Sequence, residues 1–203
     1  MIKNLVLDIG NVICEWNPGA LSASVTDNPA EQQEVLDVTI KHADWLELDK
    51  GTMPVEQAIA NAQKRTQLDK TMVAGIYQNL PKSLQIIEST VVAMNRAAAA
   101  GVPMYILSNM QTHAWDYLEK THACFGLCTG VVVSCDVGLI KPDHGIYHHL
   151  CERFSLTASE CIFIDDMLEN IEAARECGWQ AEQLVSIKES ESVLNEVLDR
   201  INR

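Results

Sequence analysis

Four patches of this chain carry reactive side chains, and each follows an apolar or β-branched run. Asp8 ends Leu5-Val6-Leu7 and opens into Ile9-Gly10-Asn11-Val12. Ser108 and Asn109 follow Met104-Tyr105-Ile106-Leu107. Lys141 stands in Val137-Gly138-Leu139-Ile140-Lys141-Pro142-Asp143, and Asp165-Asp166 follow Cys161-Ile162-Phe163-Ile164. A carboxylate that ends a buried strand and opens a glycine-containing loop lies where open α/β sheets place their chemistry. A carboxylate oxygen such as that of Asp8 can attack phosphorus, and water then hydrolyses the aspartyl-phosphate. The hydroxyl of Ser108 and the backbone N–H groups beside it suit phosphate oxygens; an ordinary helix N-cap is the plainer alternative. Pro142 holds Lys141 extended. From there its ammonium would offset the charge of nucleophile and phosphate alike, the alternative being a solvated loop lysine. Asp165 and Asp166 repel each other at the end of an apolar strand. A hard, oxygen-seeking cation such as Mg2+ relieves that repulsion, and Asn170, one helical turn on, would buttress the pair. Nucleophile, hydroxyl, cation and acidic pair together suit phosphoryl transfer on a metal ion.

Bringing these patches to one place requires a sheet. Five segments read as strands: about Asn4–Asp8, Pro103–Ser108, Val131–Ser134, Cys161–Asp165 and Gln180–Val185. Helical patterns lie between and after them, at Ser89–Ala100, Thr112–Thr121, Gly145–Phe154, Leu168–Cys177 and Ser190–Ile201. Gly101 and Gly178 provide stops for two of them. Such alternation predicts an α/β fold, a mostly parallel sheet covered on both faces. Residues 15–84 break the rhythm. They are polar, offer no convincing strand, and read as helices at Pro29–His42, Pro54–Arg65 and Lys70–Asn79. A helical insertion, 15–84, between core segments 1–14 and 85–203 is the expected organisation.

The chain has 203 residues and a net charge of −13, and it is 47% hydrophobic and 21% charged. That is a globular composition with room for one domain and an insertion. No Lys/Arg cluster stands out, which argues against nucleic acid or an anionic membrane as partner. No apolar run approaches the length of a membrane span, and the short run before Asp8 does not read as a signal peptide. The seven cysteines are scattered. Their spacing suits small buried side chains in a reducing, cytoplasmic setting better than a zinc site. Oligomeric state is not legible.

The order of the four patches resembles the haloacid dehalogenase superfamily, in which a strand-end Asp, a Ser/Thr, a Lys and an acidic pair form one site. The resemblance covers about residues 1–14 and 85–203. Leu7-Asp8-Ile9-Gly10-Asn11-Val12-Ile13, Leu107-Ser108-Asn109 and Phe163-Ile164-Asp165-Asp166 with Asn170-Ile171 look like the bacterial sugar-phosphatase branch of that superfamily, which acts on substrates such as glucose-1-phosphate. The resemblance implies a Rossmann-like core with an all-helical cap and an Mg2+-dependent phosphatase of small phosphorylated metabolites. Asp8 would be the nucleophile. Ser108, the Asn109 backbone and Lys141 would hold phosphate. Asp8, the Gly10 carbonyl and Asp166 would hold the metal, with Asp165 outside or bridged by water.

One departure has chemical weight. Most phosphatases of that superfamily carry a second Asp two residues after the nucleophile as general acid; here Gly10 stands there. Positioned acid–base catalysis contributes about 10²–10⁴-fold. Two expectations follow: substrates with acidic leaving hydroxyls, such as anomeric sugar phosphates, are favoured over ordinary alkyl phosphates, and a cap or loop residue donates the proton. Glu15, His42 and Glu47 are candidates by residue type. Trp16 and Trp45, in or near the cap, would stack on a sugar or simply pack. Two rival readings stay open: a haloacid dehalogenase, which needs neither metal nor acidic pair, and a phosphate-binding module without turnover.

Overall fold

The computed structural model describes residues 1–201; Asn202 and Arg203, the end of the expected core segment, lie outside the described residues. The strands are β1 (Asn4–Leu7), β2 (Cys14–Glu15), β3 (Gln85–Ile86), β4 (Met104–Ser108), β5 (Gly130–Val133), β6 (Cys161–Asp165) and β7 (Gln180–Gln183). Five of them form one parallel sheet in the order β5-β4-β1-β6-β7. The expected strands recur with edges shifted by a residue or two. Leu7 pairs with Ile106 on one side and Ile164 on the other. Asp8 therefore leaves the sheet between the ends of β4 and β6, and its N–H donates to the Ile164 carbonyl at 2.9 Å.

Both faces of the three central strands, β1, β4 and β6, are dry, as a parallel sheet covered on both sides requires. Leu5, Leu7, Met104, Ile106, Ile162 and Ile164 point into one apolar cluster, and Val6, Tyr105, Leu107, Cys161 and Phe163 into the other. Period-two alternation along the strands thus shows as a change of core rather than as apolar against polar. Each side chain of this size contributes about 1.5–3 kcal/mol on full burial. The larger cluster lies under helices Glu88–Ala99, Thr112–Thr121 and Ser190–Ile201; His144–Phe154 and Leu168–Glu176 cover the smaller.

Between β2 and β3 the chain folds into helices Pro18–Ala23, Pro29–Val38, Ala43–Asp49, Val55–Gln63 and Lys70–Ser83. Two expectations need correction here. The helix expected over Pro29–His42 ends early, at Val38; His42 instead caps the next helix, which begins at Ala43, its ring accepting from the Asp44 N–H at 3.1 Å. A ring nitrogen at an N-cap meets an orphan donor of the first turn, a local signal that apolar periodicity does not carry. The stretch expected to hold no strand also begins in one. Glu15 pairs antiparallel with Gln85, and Cys14 with Ile86, so a short ribbon joins the two ends of the helical segment. Two-residue strands are below what alternation can reveal.

Candidate active site

The site forms at the carboxyl ends of β1, β4 and β6, where three loops leave a twisted parallel sheet in different directions. Lys141 is its centre of charge. Its ammonium lies 2.6 Å from Asp165 Oδ2 and 2.8 Å from Asp8 Oδ1, with the Lys141 and Asp165 side chains almost wholly buried. The backbone of Lys141 is clamped by Asn109, whose Oδ1 accepts from the Lys141 N–H at 2.8 Å while its Nδ2 donates to the Lys141 carbonyl at 2.9 Å. The peptide joining Lys141 to Pro142 is cis. Burial pushes the Lys141 ammonium toward losing its proton, but Asp165 and Asp8 outweigh that and raise its pKa. Lysine here is a fixed cation.

The two members of the acidic pair differ. Asp165 is saturated: beyond Lys141 it accepts from the Met167 N–H at 2.8 Å and from Asn170 Nδ2 at 3.0 Å to each oxygen. Asn170 thus buttresses Asp165 alone. Asp166 is half-buried and turns the other way, with Oδ2 accepting from Asn11 Nδ2 at 2.9 Å. Asn11 sits at φ 51°, the left-handed region that Asn tolerates better than most side chains. Its Oδ1 also accepts from the Trp16 N–H at 2.9 Å. Burial, opposed by Asn11 and reinforced by Asp165, raises the Asp166 pKa. Burial likewise pushes Asp8 up; Asp165 adds to this, Lys141 and Ser108 pull it back, and the carboxyl comes to about 7.

Three carboxylates so placed suit a divalent cation. One oxygen from each of Asp8, Asp165 and Asp166 lies within 4.8 Å of the others. Asp8 Oδ1 is buried without a hydrogen-bond partner, since its contact with Lys141 is an ion pair lacking hydrogen-bond geometry. Among the described residues nothing donates to the Gly10 carbonyl. Asp8, Asp166 and the Gly10 carbonyl therefore retain free oxygen lone pairs, whereas those of Asp165 are largely spent. This donor set, all oxygen and net negative, fits Mg2+.

Asp8, Gly10, Ser108, Asn109, Lys141 and Asp166 line one open cavity of about 340 Å³, and Asp165 lies buried beneath it. Ser108 is itself buried beside Asp8. Trp16 and Trp45 line the same cavity, stacked at 6.0 Å between ring centroids, with Tyr77 stacked behind Trp45 at 5.8 Å. They pack on one another and still face the opening. None of Glu15, His42 and Glu47 lines it. Glu15 is exposed, His42 caps its helix, and Glu47 accepts from the Thr52 hydroxyl at 2.5 Å. Asp49 and Gln111 are among the lining residues that sequence reasoning did not single out. The signal for Asp49 was slight: an acidic residue at a helix end ahead of Gly51, a glycine at φ 70°.

The model of the haloacid dehalogenase-like hydrolase family matches residues 2–178. Among curated proteins, the chain is 24% identical over 176 residues to a sesquiterpene phosphatase of Aspergillus oryzae, covering 87% of this chain and 86% of that one. It is 22% identical over 184 residues to a drimenol cyclase of Aspergillus calidoustus, covering 89% of this chain but only 34% of that longer protein. Among solved structures, a haloacid dehalogenase family enzyme from Bacteroides thetaiotaomicron superposes with a TM-score of 0.73 at 17% identity, covering 90% of this chain and 94% of that one. That enzyme, in an aspartate-to-alanine form, is in complex with magnesium and inorganic phosphate.

Proposed function

The chain belongs to the haloacid dehalogenase-like hydrolases, and from that premise we propose that it is an Mg2+-dependent phosphatase of small phosphorylated metabolites, working through an aspartyl-phosphate on Asp8. In this reading residues 15–84 are the cap and 1–14 with 85–203 the catalytic core. The observation that carries it is the Lys141 ammonium between Asp8 and Asp165, with Asp166 close enough to share a cation. A dehalogenase, which displaces halide from carbon, has no use for that acidic pair.

The chain's own groups divide the work. Asp8 supplies the attacking oxygen. Lys141 offsets the negative charge gathered where phosphate and carboxylate meet, an electrostatic effect strengthened by burial. The Ser108 hydroxyl and the Asn109 backbone hold phosphate oxygens. Asp8, Asp166 and the Gly10 carbonyl would hold Mg2+, with Asp165 behind them. When bound, the ion would neutralise phosphate charge that the Lys141 ammonium alone leaves uncompensated.

Sugar phosphates such as glucose-1-phosphate are the first substrate class, with Trp16 and Trp45 offering flat faces to a ring. A second reading has its own support. Leu80, Leu84 and Met110 join the tryptophans on the cavity wall, a surface suited to an apolar leaving group, and one relative is a sesquiterpene phosphatase. No helix among the described residues is long and apolar enough to cross a membrane, and all seven cysteines are free thiols. A cytoplasmic location is part of the same proposal.

Hydrolysis of p-nitrophenyl phosphate tests the reaction class. Turnover with Mg2+, abolished by EDTA and by Asp8→Asn in a folded protein, is the expected result. No turnover favours a binding module, and dehalogenation that survives EDTA favours the dehalogenase. Relative kcat/KM for glucose-1-phosphate and an isoprenyl monophosphate separates the substrate readings.

A further inference from the structure

The proposed reaction lacks a proton donor at Gly10, and two carboxyls that line the cavity, Asp49 and the exposed Glu169, have no role yet. We propose that Asp49 is the acid–base residue of this site, protonating the leaving oxygen and later taking a proton from the attacking water. This inference rests on the phosphatase reading above and adds to it a catalytic residue carried by the helical segment.

Position comes first. Asp49 ends the Ala43–Asp49 helix and lines the same cavity as Asp8, Lys141 and Asp166. It is tied to the sheet rather than left on a free loop. Its carbonyl accepts from the Ser134 hydroxyl, just past β5, and the Ser134 oxygen accepts from the Met110 N–H at 2.9 Å. Two residues on, Gly51 lies flat against the backbone of Cys135, where an added Cβ would stand 2.3 Å from the carbonyl oxygen. These two contacts fix the end of the helix over the catalytic loops.

A second, independent observation points to a ligand group at this spot. Gln111 lines the cavity and is 2% exposed, yet neither amide atom makes a hydrogen bond of full geometry. Buried polar groups are rarely left unpaired. The Gln111 amide lies within hydrogen-bonding reach of the Asp49 carboxyl, short of full geometry, and lowers its pKa. A leaving hydroxyl beside this pair would meet the amide groups that Gln111 leaves unpaired and lie in reach of the Asp49 carboxyl.

Protonation agrees with the geometry. Burial raises the Asp49 carboxyl to about 7, with Gln111 pulling it back. An acid so poised exists in both forms near neutrality, as a group that must donate and then accept requires. The other titratable groups on the cavity are Asp8, Lys141, Asp166 and Glu169. Asp8 is the nucleophile, Lys141 is a fixed cation, Asp166 belongs to the metal set, and Glu169 is exposed to solvent.

The proton balance closes. In the first half, an Asp8 oxygen bonds to phosphorus, and the bond from phosphorus to the leaving oxygen breaks with its electron pair. The Asp49 proton goes to that oxygen. In the second half, a water oxygen bonds to phosphorus, the Asp8 oxygen leaves with its pair, and the water proton returns to Asp49. No oxidant or reductant is involved.

The test compares wild type, Asp49→Asn and Glu47→Gln, with Mg2+, on glycerol phosphate and p-nitrophenyl phosphate. The p-nitrophenolate group leaves without a proton. Asp49→Asn is expected to lower kcat/KM for the alkyl phosphate by about 10²–10⁴-fold and for the aryl phosphate by far less. It should also remove the fall in alkyl-phosphate kcat/KM expected of wild type above pH about 7. Glu47→Gln, outside the cavity, should keep wild-type values on both. Equal losses on the two substrates, an unchanged alkyl-phosphate rate, or a matching loss in Glu47→Gln would overturn the role of Asp49 while leaving the phosphatase reading standing. Wild type inactive on both substrates would overturn both.

Discussion

Replacing Lys141 by Met should destabilise the protein far more than an ordinary lysine substitution. The wild-type ammonium is buried between two carboxylates, Asp165 at 2.6 Å and Asp8 at 2.8 Å, and these side chains are at most 9% exposed. Methionine keeps the length and most of the packing but removes the charge. Two buried carboxylates then face each other with no cation from the protein. Breaking a buried ion pair by removing one partner costs about 3–5 kcal/mol. For a domain of this size each kcal/mol lowers Tm by about 2–4 °C, so the expected drop is on the order of 6–20 °C by those two ranges. Thermal unfolding in EDTA reads this without a contribution from bound metal. The control is Lys41→Met, which removes an ion pair with Asp37 whose side chains are 54% and 53% exposed; such pairs contribute little, and Tm should fall by less than about 2 °C. A double variant adding Asp165→Asn should recover about 1–3 kcal/mol, because one stranded charge is gone. If Lys141→Met lowers Tm no more than Lys41→Met does, the buried triad does not hold this end of the sheet together, and the electrostatic role given to Lys141 is wrong.

Other outcomes follow from particular contacts. Gly51→Ala combines a φ of 70° with a clash against the Cys135 carbonyl; it should cost about 1–3 kcal/mol in urea unfolding and lower activity by displacing Asp49. Asn170→Ala leaves the buried Asp165 carboxylate without two hydrogen bonds and should cost about 1.5–3 kcal/mol, whereas Asn170→Asp, which adds a like charge, should cost more. Asp49 also gives stability a pH dependence. Its carboxyl is raised from 3.8 to about 7, so the folded protein holds this proton more tightly than the unfolded chain. That contribution is fully present below pH about 4 and is lost as pH rises through about 7. Asp49→Asn should therefore gain on wild type between those values. A rise of roughly three pH units corresponds to about 4 kcal/mol, which the partial exposure of the residue reduces to about 1–2 kcal/mol. A stability difference between the two proteins that does not vary with pH would refute this.

The chain's sequence determines more of the sheet than of the segment over it. Each central strand is an apolar run that ends in a residue able to do chemistry, and parallel strands put their carboxyl ends on one rim. Asp8, Ser108 and the Asp165-Asp166 pair could therefore be read before any coordinates, as could a cation at Lys141. Only the tertiary structure decided the division of labour among them. Asp165 and Asp166 are neighbours of the same type, yet one is saturated by Lys141, Asn170 and Met167 while the other turns to Asn11. That Asn109 clamps Lys141, thirty-two positions away, is likewise a fact of packing. The helical segment was legible as helical, but not where its helices break. Glu15, His42, Glu47 and Asp49 are equivalent by residue type, and what separates them is where the chain turns. A left-handed glycine and one hydroxyl just past the end of β5 set Asp49 into the cavity. Apolar periodicity records which face of an element is dry; it holds no record of which distant loop that element will meet.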